Sequence, residues 1–298
     1  MITKRHVKVW IPGGTGMLGR AVQDRLREDA VAHVATGSAV DVANRDAIRR
    51  FVDETTPSHI INCAAYTAVD DAENEREAAE RVNTTGAGHL AALAAERGIS
   101  LLHVSTDYVF DGRAAHPYPV DAACSPRSVY GKTKRRGEES VLATVEDGSE
   151  RRVHVVRTSW LFGPGGRNFV TTMLRLMSER RTLQVVADQH GRPTYTRDLA
   201  GALTAIAIGG DAPSGIHHVC NAGRTTWHGF ASAIWERARQ RGWPTATEAI
   251  EAVDTRAFPR PASRPLRAIL DTSGVQALGI APRPWTEALD DYLNELRS

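Results

Sequence analysis

The sequence predicts an α/β protein with a doubly wound parallel sheet and a smaller C-terminal lobe. Two observations support this prediction. Up to about residue 156, short β-like runs alternate with helix-like segments, and parallel neighbouring strands need such crossover helices. Beyond residue 160 the connections lengthen and prolines become frequent, which indicates a change of architecture. We therefore place a boundary between residues 160 and 161.

Hydrophobic periodicity predicts each element in turn. The β-rich runs predict strands over residues 7–11, 32–36, 59–62, 100–104 and 153–157. Apolar residues at helical spacing predict helices over residues 17–28, 45–54, 73–97, 132–142, 168–180, 197–208, 227–241 and 285–296. Since some segments beyond residue 160 could join the main sheet, the second lobe need not be separate from it.

Composition excludes several classes of protein. The 298 residues are 42% hydrophobic and 24% charged, which predicts a well-buried core and a polar surface. A formal net charge of +2, with no basic stripe between aromatic residues, argues against a nucleic-acid partner. No apolar run approaches the roughly 18 residues that cross a bilayer, and the first residues do not resemble a signal peptide. We expect neither a membrane nor a nucleic-acid partner.

The cysteines indicate a reducing compartment. Cys63, Cys124 and Cys220 are far apart, odd in number and without metal-ligand spacing. We therefore expect free thiols, a cytoplasmic location and no metal site.

A glycine-rich turn lies between the first predicted strand and the first predicted helix. Residues 13–19 satisfy G-x-G-x-x-G and also G-x-x-G-x-x-G. Glycine lets the backbone approach a pyrophosphate, and the free N–H groups at the helix start then meet the anion. This position in an alternating chain predicts a Rossmann-type NAD(P)-binding domain over residues 1–160. The lobe over residues 161–298 would then mainly bind substrate.

The end of the second strand bears on cofactor choice. NAD-selective sites place a carboxylate there, whereas this chain has Thr36, Gly37 and Ser38. Arg20 follows the last glycine and could offer a cation to a 2′-phosphate, although it could equally be an ordinary exposed helix residue. NADPH is favoured, and NADH remains possible.

Tyr130 and Lys134 form a Y-x-x-x-K pair at the start of a predicted helix. Residues four apart share one helix face, so an ammonium would lie near a phenol. A nearby cation favours phenolate and would lower the pKa of Tyr130 toward a range useful for general acid catalysis. Ser105 and Thr106 follow the fourth strand at the carboxyl edge of the sheet, where a hydroxyl could hydrogen-bond a substrate carbonyl.

Longer motifs occur in both halves of the chain, and they lie at residues 13–19, 62–70, 82–84, 105–112, 130–138, 157–160, 187–194 and 264–271. Together they resemble the extended short-chain dehydrogenase/reductases and, among these, the dTDP-4-dehydrorhamnose reductase family. The resemblance spans nearly the whole chain. Pro12, Arg267 and Ala268 depart from the family pattern, and the last two leave the identity of the sugar open.

The resemblance implies roles for individual residues. The catalytic residues would be Thr106, Tyr130 and Lys134. The cofactor would contact Gly13, Gly16, Met17, Leu18, Gly19, Asp41, Val42, Ala64, Ala65, Tyr66, Asn83, Tyr130 and Lys134. The nucleotide sugar would contact Val69, Thr106, Asp107, Tyr108, Trp160, Gln189 and Arg264.

The resemblance also implies a reaction, namely NAD(P)H-dependent reduction of the C4 ketone of a dTDP-4-keto-6-deoxy-L-hexose to dTDP-L-rhamnose. Tyr130 would donate the proton, and the partner would be the dTDP-sugar itself. Two alternatives remain: a reductase of a different dTDP-4-keto deoxysugar, and a non-catalytic regulatory subunit similar to the beta subunit of methionine adenosyltransferase. The sequence is compatible with a monomer or a homodimer.

Overall fold

A six-stranded, fully parallel sheet forms the centre of the molecule, which confirms the α/β prediction. The structure is a computed structural model that describes residues 7–146, 148–149 and 151–297. Residues 1–6, where the sequence predicts no signal peptide, lie outside this range. The strand order is β2-β1-β3-β4-β5-β10, where the strands are β1 (Lys8–Pro12), β2 (Ala32–Thr36), β3 (His59–Asn62), β4 (Ser100–Thr106), β5 (Val153–Thr158) and β10 (Gly215–His218).

Alternate residues of each strand point to opposite faces of the sheet, and helices cover the apolar side chains on both faces. Val9 and Ile11 pack with α1 (Met17–Glu28) and α7 (Thr196–Ile208). Trp10 packs on the other face. The helices on that face are α2 (Arg45–Thr55), α4 (Ala87–Arg97) and α5 (Val129–Leu142). In the part of the chain that the structure describes, no helix is both long and apolar enough to span a bilayer.

The remaining elements of the second half surround a core of their own. That core includes Phe162, Phe230 and Tyr292. Its helices are α6 (Phe169–Glu179), α8 (Trp227–Gln240) and α10 (Trp285–Glu295), whereas α9 (Ser273–Gln276) packs through Val275 in the core beside the main sheet. Its strands are β6 (Leu161–Phe162), β7 (Thr182–Val186), β8 (His190–Gly191), β9 (Thr194–Tyr195), β11 (Thr225–Thr226) and β12 (Ala249–Val253). Because β10 and α7 belong to the main sheet layer, the chain crosses back after residue 160.

The predicted helix over residues 73–97 is interrupted. It divides into a 3-10 turn at Asp71–Glu73, α3 (Arg76–Glu80), a π-helical segment at Arg81–Gly86, and α4. A π-helical segment inserts an extra residue per turn and often lies at a functional site. Here it turns the side chain of Asn83 into the protein, where it is fully buried.

The start of α5 also differs from the prediction. The helix begins at Val129, before the predicted start at residue 132, because the Ser128 hydroxyl accepts a hydrogen bond from the Gly131 N–H. Tyr130 and Lys134 are therefore both inside the helix, one turn apart.

A buried ion pair fixes α5 to the edge of the sheet. Arg157, at the end of β5, donates two hydrogen bonds of 2.8 Å to the carboxylate of Glu138 on α5. Both side chains are almost fully buried. Burial alone would raise the pKa of Glu138, but the hydrogen bonds and charge of Arg157 outweigh it and hold the pKa below its ordinary value.

Replacing Arg157 by methionine should destabilise the fold by about 3 kcal/mol, because it leaves the buried Glu138 carboxylate with the partly exposed Arg135 as its remaining cation. Urea unfolding measures the change. The matched control is Arg175→Met, which breaks an exposed pair with Glu179 and should change stability by less than about 1 kcal/mol. Equal losses in the two variants would contradict a structural role for the buried pair.

Candidate active site

The turn between β1 and α1 brings its backbone against the chain that follows β3. Gly13 has a left-handed backbone, with φ +75°, and a Cβ there would lie 2.5 Å from the backbone nitrogen of Ala64. A Cβ at Gly19 would collide with the Gly13 carbonyl. Helix α1 starts at Met17 with no side-chain cap and no acidic residue in its first turn. This close, uncapped helix start fits a dinucleotide pyrophosphate.

Arg20 lies beside this turn. Its Nε donates a 2.9 Å hydrogen bond to the Thr15 carbonyl, and its aliphatic stem lies close to Gly165. Across the turn, Gly37 approaches the Thr15 side chain at the end of β2. Residues 36–38, directly after β2, include no carboxylate, and this is the position at which an acidic partner for a ribose 2′-hydroxyl would be expected.

Asp41 and Val42 lie near the same end of the sheet. Asp41 pairs with Arg81, and the hydrogen bond from Arg81 is the main reason that the pKa of Asp41 lies below its ordinary value. Val42 packs against Gly86. Asp41 is not the cap of α2, because that role belongs to the Asn44 side chain.

The chain after β3 is held by the π-helical segment. Asn83 accepts a hydrogen bond from the Tyr66 N–H at 2.9 Å and donates one to the Tyr66 carbonyl at 3.1 Å. It also donates to the Thr133 hydroxyl on α5. Asn83 thus joins the segment that contains Ala64, Ala65 and Tyr66 to the helix that carries Tyr130, so its contribution is to position the site.

The predicted catalytic residues come from β4 and α5. Tyr130 is buried, packs edge-on against Tyr108 at a ring distance of 5.4 Å, and lies in one apolar cluster with Val69. The Thr106 hydroxyl donates to Asp107 at 3.0 Å and accepts from the Tyr108 N–H. The structure thus brings the phenol and the hydroxyl to the carboxyl edge of the sheet.

The structure does not show the expected lowering of the Tyr130 pKa by Lys134. Burial raises the pKa of Tyr130 to about 12, and the opposing influence comes from the Thr106 hydroxyl rather than from the lysine. The phenol is therefore fully protonated at neutral pH, which suits a proton donor.

Lys134 lies almost completely buried beneath this edge. Its Nζ donates to the Val104 carbonyl at 2.7 Å and contacts His103 Nε2 at 3.1 Å. Burial lowers the pKa of Lys134 to about 8. Lys134 therefore loses its charge as the pH rises through about 8, within the pH range in which enzymes act.

Asp107 has a different environment from the one predicted. Its carboxyl group is buried, accepts from the Thr106 hydroxyl through one oxygen, and leaves the other oxygen without a partner among the described residues. Burial raises the pKa of Asp107 to about 7. Asp107 thus orients the Thr106 hydroxyl from inside the protein.

A cavity of about 1590 Å³ opens beside Tyr108. Of the residues predicted to contact the sugar nucleotide, the cavity is lined by Tyr108, Gln189 and Arg264, whereas Val69, Thr106, Asp107 and Trp160 do not line it. Arginine side chains bind phosphate groups well through planar, charged donors. The arginines that line the cavity are Arg113, Arg127, Arg180, Arg256, Arg260 and Arg264.

Arg264 is paired across this cavity. It donates to Asp70 at 2.8 Å, and Asp70 lies on the segment that leads away from the cofactor side. The pair is partly buried, so it joins the C-terminal segment to the chain after β3. Arg264 thus lines the cavity and forms an ion pair, and its contact with a sugar nucleotide stays a prediction.

Trp160 forms a stacked pair that the sequence does not reveal. Its backbone is left-handed, with φ +48°, and its ring lies 3.6 Å from that of Trp227 at an angle of 10°. The Trp227 indole N–H donates to Gln189 at 3.1 Å. Trp227 also lines the cavity, so one residue supports both Trp160 and Gln189.

Two further residues near the site were missed at the level of sequence. The sequence predicts Trp227 only as a helix residue. The available signal is that Trp227 directly follows Thr226, a residue that can cap the helix and so fix the direction of its first side chain. His103 was expected only as a strand residue, and the one hint was a titratable side chain within an otherwise apolar run.

Comparison with known proteins agrees with this geometry. Residues 7–298 match the family model described as RmlD substrate binding domain. A dTDP-4-dehydrorhamnose reductase from Streptomyces griseus is 43% identical over 94% of this chain and 91% of its own. A probable dTDP-4,6-dihydroxy-2-methyloxan-3-one 4-ketoreductase from Streptomyces antibioticus is 40% identical over 96% of this chain and 94% of its own.

A solved structure has the same fold. The dTDP-4-dehydrorhamnose reductase from Bacillus anthracis, determined in complex with NADP, superposes with a TM-score of 0.89 at 34% identity. The match covers 97% of this chain and 99% of that one. On this evidence the chain belongs to the RmlD family of the dTDP-4-dehydrorhamnose reductases.

Proposed function

We propose that this chain reduces the C4 ketone of a dTDP-4-keto-6-deoxy-L-hexose with NADPH and forms dTDP-L-rhamnose. The observation that carries the proposal is the placement of Tyr130 and Thr106 at the carboxyl edge of β4. The glycine turn before α1 lies against the chain after β3, and the arginine-lined cavity opens beside Tyr108, whose ring packs against Tyr130. A reactive ketone held between the two would meet a proton donor.

The chain's own groups have distinct tasks in this reaction. Bound reduced nicotinamide supplies the hydride. Tyr130 gives its proton to the carbonyl oxygen as negative charge develops there. The Thr106 hydroxyl, which donates to Asp107 in the structure, would turn to donate to the same oxygen. Lys134, in its charged form, would hold the cofactor ribose.

The two halves of the chain divide the work. Residues 1–160 would hold the cofactor through the glycine turn, Asp41 and the segment around Tyr66. Residues 161–298 would mainly hold the sugar nucleotide through Gln189 and the cavity arginines of this half, Arg180, Arg256, Arg260 and Arg264, and Trp160 at the boundary would contribute to the same site. The reduced thiols of Cys63, Cys124 and Cys220 support a cytoplasmic location for this enzyme.

A second sugar deserves a direct test. The relative from Streptomyces antibioticus is named for a different keto sugar. Arg267 and Ala268 depart from the family pattern close to Leu266, which lines the cavity. A reductase of another dTDP-4-keto deoxysugar is therefore the alternative substrate assignment.

The experiment that tests the function is NADPH oxidation by the purified chain with dTDP-4-keto-L-rhamnose, followed in parallel with NADH. Nuclear magnetic resonance of the product distinguishes dTDP-L-rhamnose from an epimer. Turnover of another keto sugar alone would support the alternative substrate. NADPH binding without turnover of any keto sugar would instead indicate a non-catalytic regulatory subunit.

Tyr130→Phe should lower kcat by at least about 100-fold, because it removes the proton donor while keeping the ring. NADPH affinity, measured by quenching of protein fluorescence, should remain nearly unchanged. The matched control is Tyr195→Phe, which removes another buried phenol that bonds to Glu295 in the second core. A wild-type rate in the Tyr130 variant would show that the phenol is not the donor.

The rate of reduction should fall as the pH rises through about 8. Lys134 has its pKa lowered to about 8, so its charged form predominates below that pH and is lost above it. Tyr130, with its pKa raised to about 12, stays protonated over the same range. A profile of kcat/KM that stays flat from about pH 7 to about pH 10 would contradict the role of the ammonium.

Arg20→Ala should raise the KM for NADPH by about tenfold and leave that for NADH nearly constant, since a charge-assisted bond to the 2′-phosphate is lost. Parallel kinetics with both cofactors measure this. Arg27→Ala, which changes an exposed residue of the same helix, is the control. An equal increase for both cofactors would show that Arg20 does not distinguish them.

A further inference from the structure

A continuous chain of buried hydrogen bonds leads from the cofactor side of the site to Lys134. The Ala64 N–H donates to Asn62 Oδ1 at 3.0 Å. Asn62 Nδ2 lies 2.9 Å from His103 Nδ1, and His103 Nε2 lies 3.1 Å from Lys134 Nζ. The side chains of Asn62, His103 and Lys134 are each at most 2% exposed. Solvent therefore does not supply alternative partners.

The directions of these bonds are fixed from the Ala64 end. A backbone N–H can only donate, so the oxygen of the Asn62 amide faces Ala64 and the NH₂ group faces His103. His103 Nδ1 must then accept. Burial holds the pKa of His103 well below its ordinary value, so the ring is neutral and its single proton is on Nε2.

We propose that His103, held in this tautomer by Asn62, is a positioning residue that presents an N–H donor to Lys134 and so favours the uncharged amine. A neutral amine has one lone pair, which accepts from His103 Nε2, and it keeps a proton for the Val104 carbonyl. An ammonium has only donors, so its contact with the same ring nitrogen would oppose two protons.

The other groups around Lys134 do not provide this effect. Glu138, on the same helix, is ionised and bound to Arg157, and its charge favours the ammonium. Burial raises the pKa of Cys63 to about 12, so this thiol is uncharged. Tyr130 is likewise protonated. Of the described groups around the amine, His103 is the donor that matches a lone pair.

This inference rests on the proposed function for its meaning in catalysis. If Lys134 must be charged for reduction, the Asn62–His103 pair sets the pH at which activity is lost. The same hydrogen bonds connect Lys134 to the segment around Ala64, against which the glycine turn lies. A change in this segment would then alter the charge of the catalytic lysine.

The first test reads the tautomer of His103 in the wild-type protein. Selective ¹⁵N labelling of histidine and a long-range ¹H–¹⁵N correlation spectrum distinguish the two neutral forms, and His103→Asn assigns the signal by its loss. At about pH 9.5, above the titration of Lys134, we expect the proton on Nε2. A proton on Nδ1, or on both nitrogens, would overturn the proposal. This result does not depend on turnover of any sugar.

The second test reverses the direction of the hydrogen bonds that join Asn62, His103 and Lys134. Asn62→Asp provides only acceptors, so His103 would carry its proton on Nδ1 and accept from a charged Lys134. The alkaline limb of NADPH affinity and of kcat/KM should move up by about one pH unit.

The new carboxylate could also act on Lys134 through space, so the same substitution is repeated in a His103→Leu background. There the Asn62→Asp shift should be less than half as large. An equal shift in both backgrounds would refute the role of His103. Because NADPH affinity is measured directly, absence of ketone reduction in the wild type would refute the proposed function without affecting this test.

Discussion

The parallel register between β3 and β4 is the constraint on which the site depends. It pairs Asn62, the last residue of β3, with His103 in the middle of β4. The carboxyl edge of the sheet carries Thr106 at the end of β4 and receives the glycine turn after β1. Because carboxyl ends of parallel strands meet at one edge, residues more than 40 positions apart become a single site. A slip of the register would point these side chains to the opposite face.

Much of the fold can be predicted from local patterns of apolar residues and glycines in the sequence. The limits of α1 and β3 agree with the apolar periodicity, because each has a buried face, and those of β2 agree although only Thr36 is buried there. The glycine turn was predictable for a different reason. Its steric requirement at Gly13 is local, and the position between a strand and a helix identifies it.

Features that depend on tertiary contacts were not predictable in this way. The alanine-rich run through residues 73–97 has helical periodicity throughout, yet packing of Asn83 against Tyr66 and α5 inserts a π-helical segment. β10 is short and ends in two histidines, so nothing local indicates a sixth strand. The pKa of Tyr130 rises because of burial, and the extent of burial is a property of the whole fold.

The left-handed backbone at Trp160 has an energetic consequence. A residue with a Cβ pays roughly 1 kcal/mol or more for that conformation, whereas glycine adopts it freely. Stacking on Trp227 and the close approach of Gly191 hold the indole in place despite this strain. The fold therefore retains an indole at a position where glycine would adopt the backbone conformation without strain. Trp227 covers one face of that ring, and Gly191 lies so close to it that a Cβ there would be 2.3 Å from the indole Cε2, so position 191 tolerates no side chain while the indole stays in place.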